Sequence, residues 1–136
     1  MSWLLDVNLI LASRWATHPE HLAAKRWIGA VDRFYTTAIV ELGFVRISLS
    51  AAYRANWHEI QETLAKLHSR PGHHFLADDV DGTAVPETGP KDTTDAHLVI
   101  LAKRHGLKLA TLDEALLAKP WAAGVAENPL LQPTQI

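Results

Sequence analysis

Asp6, Glu41, Asp95 and Asp113 lie far apart in the chain but share a kind of position. Asp6 follows the apolar Trp3-Leu4-Leu5, and Glu41 comes soon after Phe34-Tyr35-Thr36. Asp95 opens the strongly apolar residues 96–102, and Asp113 follows residues 107–111. In an open α/β sheet, ligands bind beyond the carboxyl ends of the strands. Acids at such ends, or at the start of a helix beside them, can meet in space. Grouped carboxylates repel one another, and a divalent cation relieves that repulsion. The chemistry implied is metal-assisted attack on phosphate esters.

Each acid also has a plain structural use. Asp95 and Asp113 sit where a negative charge favours a helix N-terminus through the dipole. Asp6 and Glu41 are harder to explain that way. Each is a lone charge in an apolar run, Leu4-Leu5-Asp6-Val7 and Ile39-Val40-Glu41-Leu42. Carboxylates are seldom buried unless paired or coordinated.

The elements that must position these acids follow from pattern. Trp3-Leu4-Leu5 reads as a short buried strand. Residues 8–15 suit a helix with Asn8 near its first turn, and residues 19–30 suit another, with Pro19 at a first helical position. Phe34-Tyr35-Thr36 is strand-prone, and Thr37 can cap a helix over 38–49. Trp57, Ile60, Leu64 and Leu67 recur at helical spacing over 57–68. His74-Phe75-Leu76 reads as a strand. Residues 78–94 are rich in Asp, Gly, Pro and Thr and read as a surface loop. Thr94 can cap a helix to His105, with Gly106 as its stop. Residues 107–111 form a strand, 113–117 a short helix and 124–127 a last edge strand. Strands alternating with helices give a mostly parallel sheet of four or five strands.

Composition sets the bounds. The chain has 136 residues, 48% of them apolar, and a formal net charge of −2. One domain over residues 1–136 is expected. The chain lacks the bulk basic charge by which many proteins grip nucleic acid, so such contact must come from a local patch or from metal ions. With no cysteine, disulfides and zinc–thiolate sites are excluded, which suits a reducing cytoplasm. No basic run precedes an apolar segment at the N-terminus, and no uncharged stretch reaches the roughly 18 residues of a membrane span. A soluble cytoplasmic protein is expected.

Other motifs compete with the four acids. Asp79-Val80-Asp81-Gly82-Thr83 looks like the nucleophile motif of haloacid-dehalogenase-type phosphatases. That motif should close the first strand of a larger domain, whereas only 53 residues follow Thr83. As a calcium loop it fails, since positions one and twelve would be Ala77 and Thr88. The eight histidines read as surface or loop residues: His73 and His74 are adjacent and cannot easily share a site, and His97 points away from Asp95 around the helix. Arg14, Arg46 and Lys91 are the basic residues near enough to serve as phosphate contacts.

Taken together, Leu5-Asp6-Val7-Asn8, Glu41, Thr94-Asp95-Ala96-His97-Leu98 and Ala110-Thr111-Leu112-Asp113 resemble the PIN-domain nucleases, most closely the VapC-type toxins of toxin–antitoxin pairs. The resemblance covers nearly the whole chain. It implies a three-layer α/β/α sandwich, a Mg²⁺ or Mn²⁺ site at Asp6, Glu41, Asp95 and Asp113, and RNA cleavage. It makes Asn8 and Thr111 the polar residues that orient this site, and leaves Asp92 as an extra acid beside it. It also implies a small antitoxin partner; a second copy of the chain is a further candidate. Trp57, Ile60, Phe44 and Ile47 are the residues from which a groove for a partner helix could be built. The alternative of another class is a non-catalytic module that binds RNA or protein with the same fold.

Overall fold

The computed structural model describes residues 1–131. Five strands form one sheet: β1 (Trp3–Leu5), β2 (Phe34–Thr36), β3 (His73–Phe75), β4 (Lys108–Ala110) and β5 (Ala126–Glu127). Their order is β3-β2-β1-β4-β5, and every pairing is parallel. Among the described residues, six α-helices connect or flank them: α1 (Val7–Arg14), α2 (His21–Ala30), α3 (Ala38–Leu49), α4 (Trp57–His68), α5 (Thr93–Arg104) and α6 (Glu114–Leu117).

The central strand explains the layering. Successive side chains of a strand point to opposite faces, yet Trp3, Leu4 and Leu5 are all buried. Both faces of β1 are therefore covered, as a parallel sheet requires. Trp3 meets Trp27 of α2 edge-on with ring centroids 5.4 Å apart. Trp15 stacks on Phe44 of α3 at 5.7 Å, and its indole N–H donates to Ser48 Oγ at 2.8 Å. Leu4, Leu5, Leu9, Ile10, Phe34, Phe44, Leu98 and Leu109 are fully enclosed. Truncating any one of these leucines to alanine costs about 2–5 kcal/mol.

The topology also fixes where a ligand can sit. The chain builds outward from β1 to β2 and β3, then returns to place β4 on the other side of β1. The order reverses between β1 and β4, and the crevice beyond their carboxyl ends is the expected binding place. Leu5 pairs with Ala110, and the Asp6 N–H donates to the Ala110 carbonyl at 2.9 Å. The next residues out, Asp6 and Thr111, are thereby set side by side.

Local differences from the sequence expectations have physical causes. Thr37 stands at the N-cap of α3 but makes no side-chain cap bond: its hydroxyl donates to the Leu76 carbonyl at 2.6 Å, tying β2 to the end of β3. Thr94 lies inside α5, which starts at Thr93 behind a 3₁₀ turn at Pro90–Asp92. α2 starts at His21, because the Glu20 N–H is taken by His18 Nδ1 at 3.0 Å and the preceding residues form turns. β3 falls one residue earlier than expected, at His73–Phe75, in register with β2. Phe44 and Ile60 are fully buried and cannot line a partner groove.

Candidate metal centre

Asp6 is the N-cap of α1. Its Oδ1 accepts from the Val7 N–H at 2.7 Å and its Oδ2 from the Thr111 hydroxyl at 2.7 Å. The residue is 5% exposed. Burial raises its pKa, the two hydrogen bonds oppose that shift, and Asp113 adds to it. Asp113 caps α6, with Oδ1 accepting from the Ala115 and Leu116 N–H groups at 2.9 and 3.2 Å. Two of the acids thus do the work of helix caps, each cap contributing typically about 1 kcal/mol.

Asn8 and Thr111 form the bracket between them. Asn8 Nδ2 donates to Thr111 Oγ1 at 3.2 Å and, at 3.4 Å, to Asp6 Oδ2. Asn8 Oδ1 accepts from the Leu112 N–H at 3.0 Å, and Thr111 Oγ1 accepts from the Asp113 N–H at 3.1 Å. Residues more than a hundred positions apart are locked into one network.

Asp95 stands in the first turn of α5 and faces this network. Burial raises its carboxyl to about 6, and Asp6, Asp113 and Asp92 push it the same way. A half-buried acid repelled by three others is a poor structural choice and a good cation ligand. The three carboxylates share a cleft of about 340 Å³ with Asn8, Thr94, Arg46 and Lys91. Asp92 is ion-paired with Lys119 at 3.3 Å. All-oxygen donors of this kind suit Mg²⁺ or Mn²⁺. Arg46 and Lys91 are placed as the sequence allowed. Arg14 is not on this cleft; its Nε donates to Ser13 Oγ at 3.3 Å.

Glu41 is not brought into the group. It lies on the flank of α3 toward α4, where its Oε2 accepts from the Thr36 hydroxyl at 2.5 Å and meets His68 Nε2 at 2.7 Å. His73 Nε2 lies 2.7 Å from the same Thr36 oxygen. Burial lowers the His73 pKa, and His68 adds to the shift. The sequence reading placed the histidines on the surface or in loops: His68 is exposed, whereas His73 is half-buried in β3. His73 does not pair with its neighbour His74; it stacks on His68, with ring centroids 4.7 Å apart. The only signal was their spacing across the turn between α4 and β3.

The loop acids have other partners. Asp79 pairs with His105 at 2.9 Å, and its carbonyl accepts from Arg104. Asp81 Oδ1 accepts from the N–H and hydroxyl of Thr83. Neither lines the carboxylate cleft. His97 points away from Asp95, as expected, and pairs with Asp78.

Known proteins share this architecture. The PIN domain family model matches residues 3–121. Ribonuclease VapC39 of Mycobacterium tuberculosis is 37% identical over 143 residues, covering 93% of this chain and 99% of that protein. Ribonuclease VapC44 of the same organism is 34% identical over 135 residues, covering 90% and 94%. Among solved structures, VapBC2 from Rickettsia felis, bound to a DNA fragment from their promoter, matches with a TM-score of 0.63. That match covers 93% of this chain and 98% of the other at 13% identity, and it shows the fold. With a family model spanning most of its length and relatives matched nearly end to end, the chain belongs to the PIN-domain family, among the VapC ribonucleases.

Proposed function

We propose that this chain is a Mg²⁺- or Mn²⁺-dependent endoribonuclease and the toxin of a type II toxin–antitoxin pair, acting in the cytoplasm. The observation that carries the reading is Asp95, held in a cleft with Asp6 and Asp113 and raised by burial and then by their charge. The relatives are named ribonucleases, which supplies the substrate class.

When bound there, a divalent cation would supply a Lewis acid for the phosphoryl oxygens and acidity for the attacking water. Asp6, Asp95 and Asp113 would hold it. Thr111 and Asn8 keep the Asp6 carboxylate in one orientation, and the α6 backbone does the same for Asp113. Arg46 and Lys91 at the rim would meet the RNA phosphates on either side of the reacting one. Glu41 is the fourth acid of the set by resemblance. To join it, Glu41 must give up its bonds to Thr36 and His68.

The antitoxin would have an apolar surface to use. Ile39, Leu42 and Leu49 form an exposed stripe on α3, Leu42 being 67% exposed, and Trp57 of α4 is 55% exposed. An arginine from the antitoxin, placed among the three carboxylates, would compete with the cation.

The test is RNA cleavage by the purified chain in Mn²⁺, with EDTA and with Asp95→Asn as controls. Cleavage that needs Mn²⁺ and is lost in Asp95→Asn is expected. Equal cleavage in EDTA, or full activity of Asp95→Asn, would overturn the assignment.

A further inference from the structure

We propose that the cavity beside α6 takes one unpaired base of the RNA, that of a nucleotide flanking the scissile phosphate, and that His18 and Asn128 select it. The inference rests on the ribonuclease reading and deepens it. The cavity measures about 590 Å³ and lies between the turn that leads into α2, the start of α6 and residues 128–131. Asn8 and Asp113 line both this cavity and the carboxylate cleft. An RNA strand whose phosphate sits in the cleft therefore has a neighbouring nucleotide at the mouth of the cavity.

The lining turns away a phosphate and suits a base. Among the described residues no Lys or Arg lines the cavity, whereas Glu20, Asp113 and Glu114 do. Their charges repel a phosphate, so the sugar–phosphate backbone stays at the cleft and its rim. Leu112 and Leu130 are half-buried and give the cavity apolar walls for the flat face of a heterocycle. Single-stranded RNA is read by splayed-out bases that stack on side chains such as His and hydrogen-bond through their edges.

Two side chains hold spare donors there. Asn128 Oδ1 accepts from the Leu130 N–H at 2.9 Å, which fixes the side chain. Among the described residues nothing accepts from its Nδ2 group. His18 Nδ1 accepts from the Glu20 N–H at 3.0 Å, which places the ring proton on Nε2. Burial lowers the His18 pKa against the opposing pull of Glu20, so the ring is neutral. It offers one donor and a π face. Both donors are oriented by the backbone and are in place before a base arrives. They match the carbonyl oxygens and ring nitrogens of a base, and the exposed carboxylates of Glu20 and Glu114 match its amino groups. An edge with acceptors and donors side by side is what a nucleobase carries and a phosphate lacks.

The experiment uses the full chain and a pool of single-stranded oligoribonucleotides of random sequence. With Mn²⁺, the ends made by cleavage are sequenced. With Ca²⁺ in its place, the oligonucleotides retained on a filter are sequenced. Both are repeated on His18→Ala and on Asn128→Asp, which keeps the oxygen for the Leu130 N–H and removes the donor. Circular dichroism checks the fold of each variant, and an unfolded one is set aside in favour of the other. The expected result is a base preference of at least about fivefold at a position beside the cut, the low end of what stacking and edge contacts are worth. Each variant should flatten that preference to within about twofold and raise KM on the favoured sequence more than it lowers kcat. Retention with a base preference that both variants flatten, but without cleavage, would remove the nuclease assignment and leave the subsite standing. Cleavage with no preference beside the cut, a preference that either folded variant keeps, or a pool neither cut nor retained would overturn the proposal.

Discussion

The two clusters of ionisable groups share one sheet but are built on opposite principles. Between β1 and β4, three carboxylates converge with only neutral amides and hydroxyls to orient them. Beside β2 and β3, one carboxylate is matched with two imidazoles and a threonine. The first keeps its repulsion until a cation arrives. The second satisfies itself with internal hydrogen bonds. Uptake of a cation therefore relieves the first, whereas the second has its polar atoms already partnered.

The largest effects should separate the cleft from everything else. Asp6→Asn and Asp95→Asn should each reduce Mn²⁺-dependent RNA cleavage by at least about a hundredfold, as loss of one transition-state charge partner does elsewhere. Asp79→Asn and Asp81→Asn should stay within about twofold, since both side chains lie outside the cleft. The reverse pattern in single-turnover assays would move the chemistry to the loop.

A smaller loss tests the supports. Thr111→Val keeps the shape but deletes the hydroxyl that bonds Asp6 and receives the Asp113 N–H. It should weaken Mn²⁺ by about 10–100-fold. Glu41→Gln should cost cleavage about tenfold, less than Asp95→Asn, because Glu41 stands outside the cleft. An equal loss would place Glu41 beside Asp95 in the working enzyme.

The pH response sharpens the contrast further. The Asp95 carboxyl is raised from 3.8 to about 6 by burial and by its acidic neighbours. The folded state thus favours the protonated form, so the stability it gives is full below pH 4 and is lost as pH rises through about 6. In metal-free protein, Asp95→Asn should raise Tm at pH 7 by roughly 3–6 °C and have little effect at pH 4. Mn²⁺ should restore the unaltered chain at pH 7 by mass action. A melting curve in which Asp95→Asn is destabilised at pH 7 without metal would contradict the repulsion.

The smallest effect concerns the outer face of α3. Leu42→Ser should leave Tm unchanged within about 1 °C, because the side chain is already in water. It should weaken the antitoxin complex by about fivefold, the loss of one rim-to-core apolar contact. Unchanged affinity would remove this stripe from the interface.

What the sequence made legible was local. A lone Asp inside Leu4-Leu5-Asp6-Val7 announces a buried acid with a purpose, and strands that read as apolar on both faces announce a parallel sheet. Asn8 and Thr111 were legible through the resemblance. The His68–His73–Glu41 group was not, because it depends on how α4 turns back into β3 and on the register of β3 against β2. Thr37 makes no side-chain cap bond for a related reason. The Leu76 carbonyl, 39 residues away, offered its hydroxyl a better partner than the helix did. Gly43 carries a similar message: a Cβ there would lie 2.8 Å from Val7 Cγ2, so α3 approaches α1 more closely than any side chain allows.

The bond between Thr111 and Asp6 spans 105 positions of sequence. Contacts of such long range close late, because the loop entropy must be met before the pairing rewards it. A chain emerging from the ribosome at about 5–20 residues per second would expose Asp6 many seconds before Asp113 exists. Until then β1 has no β4 to pair with, and the carboxylates have nowhere to converge. An interrupted translation product ending before residue 111 would carry three of the four acids and no cleft. The catalytic hazard of this protein is thus timed by its topology: it begins only once β4 has been made and has paired with β1.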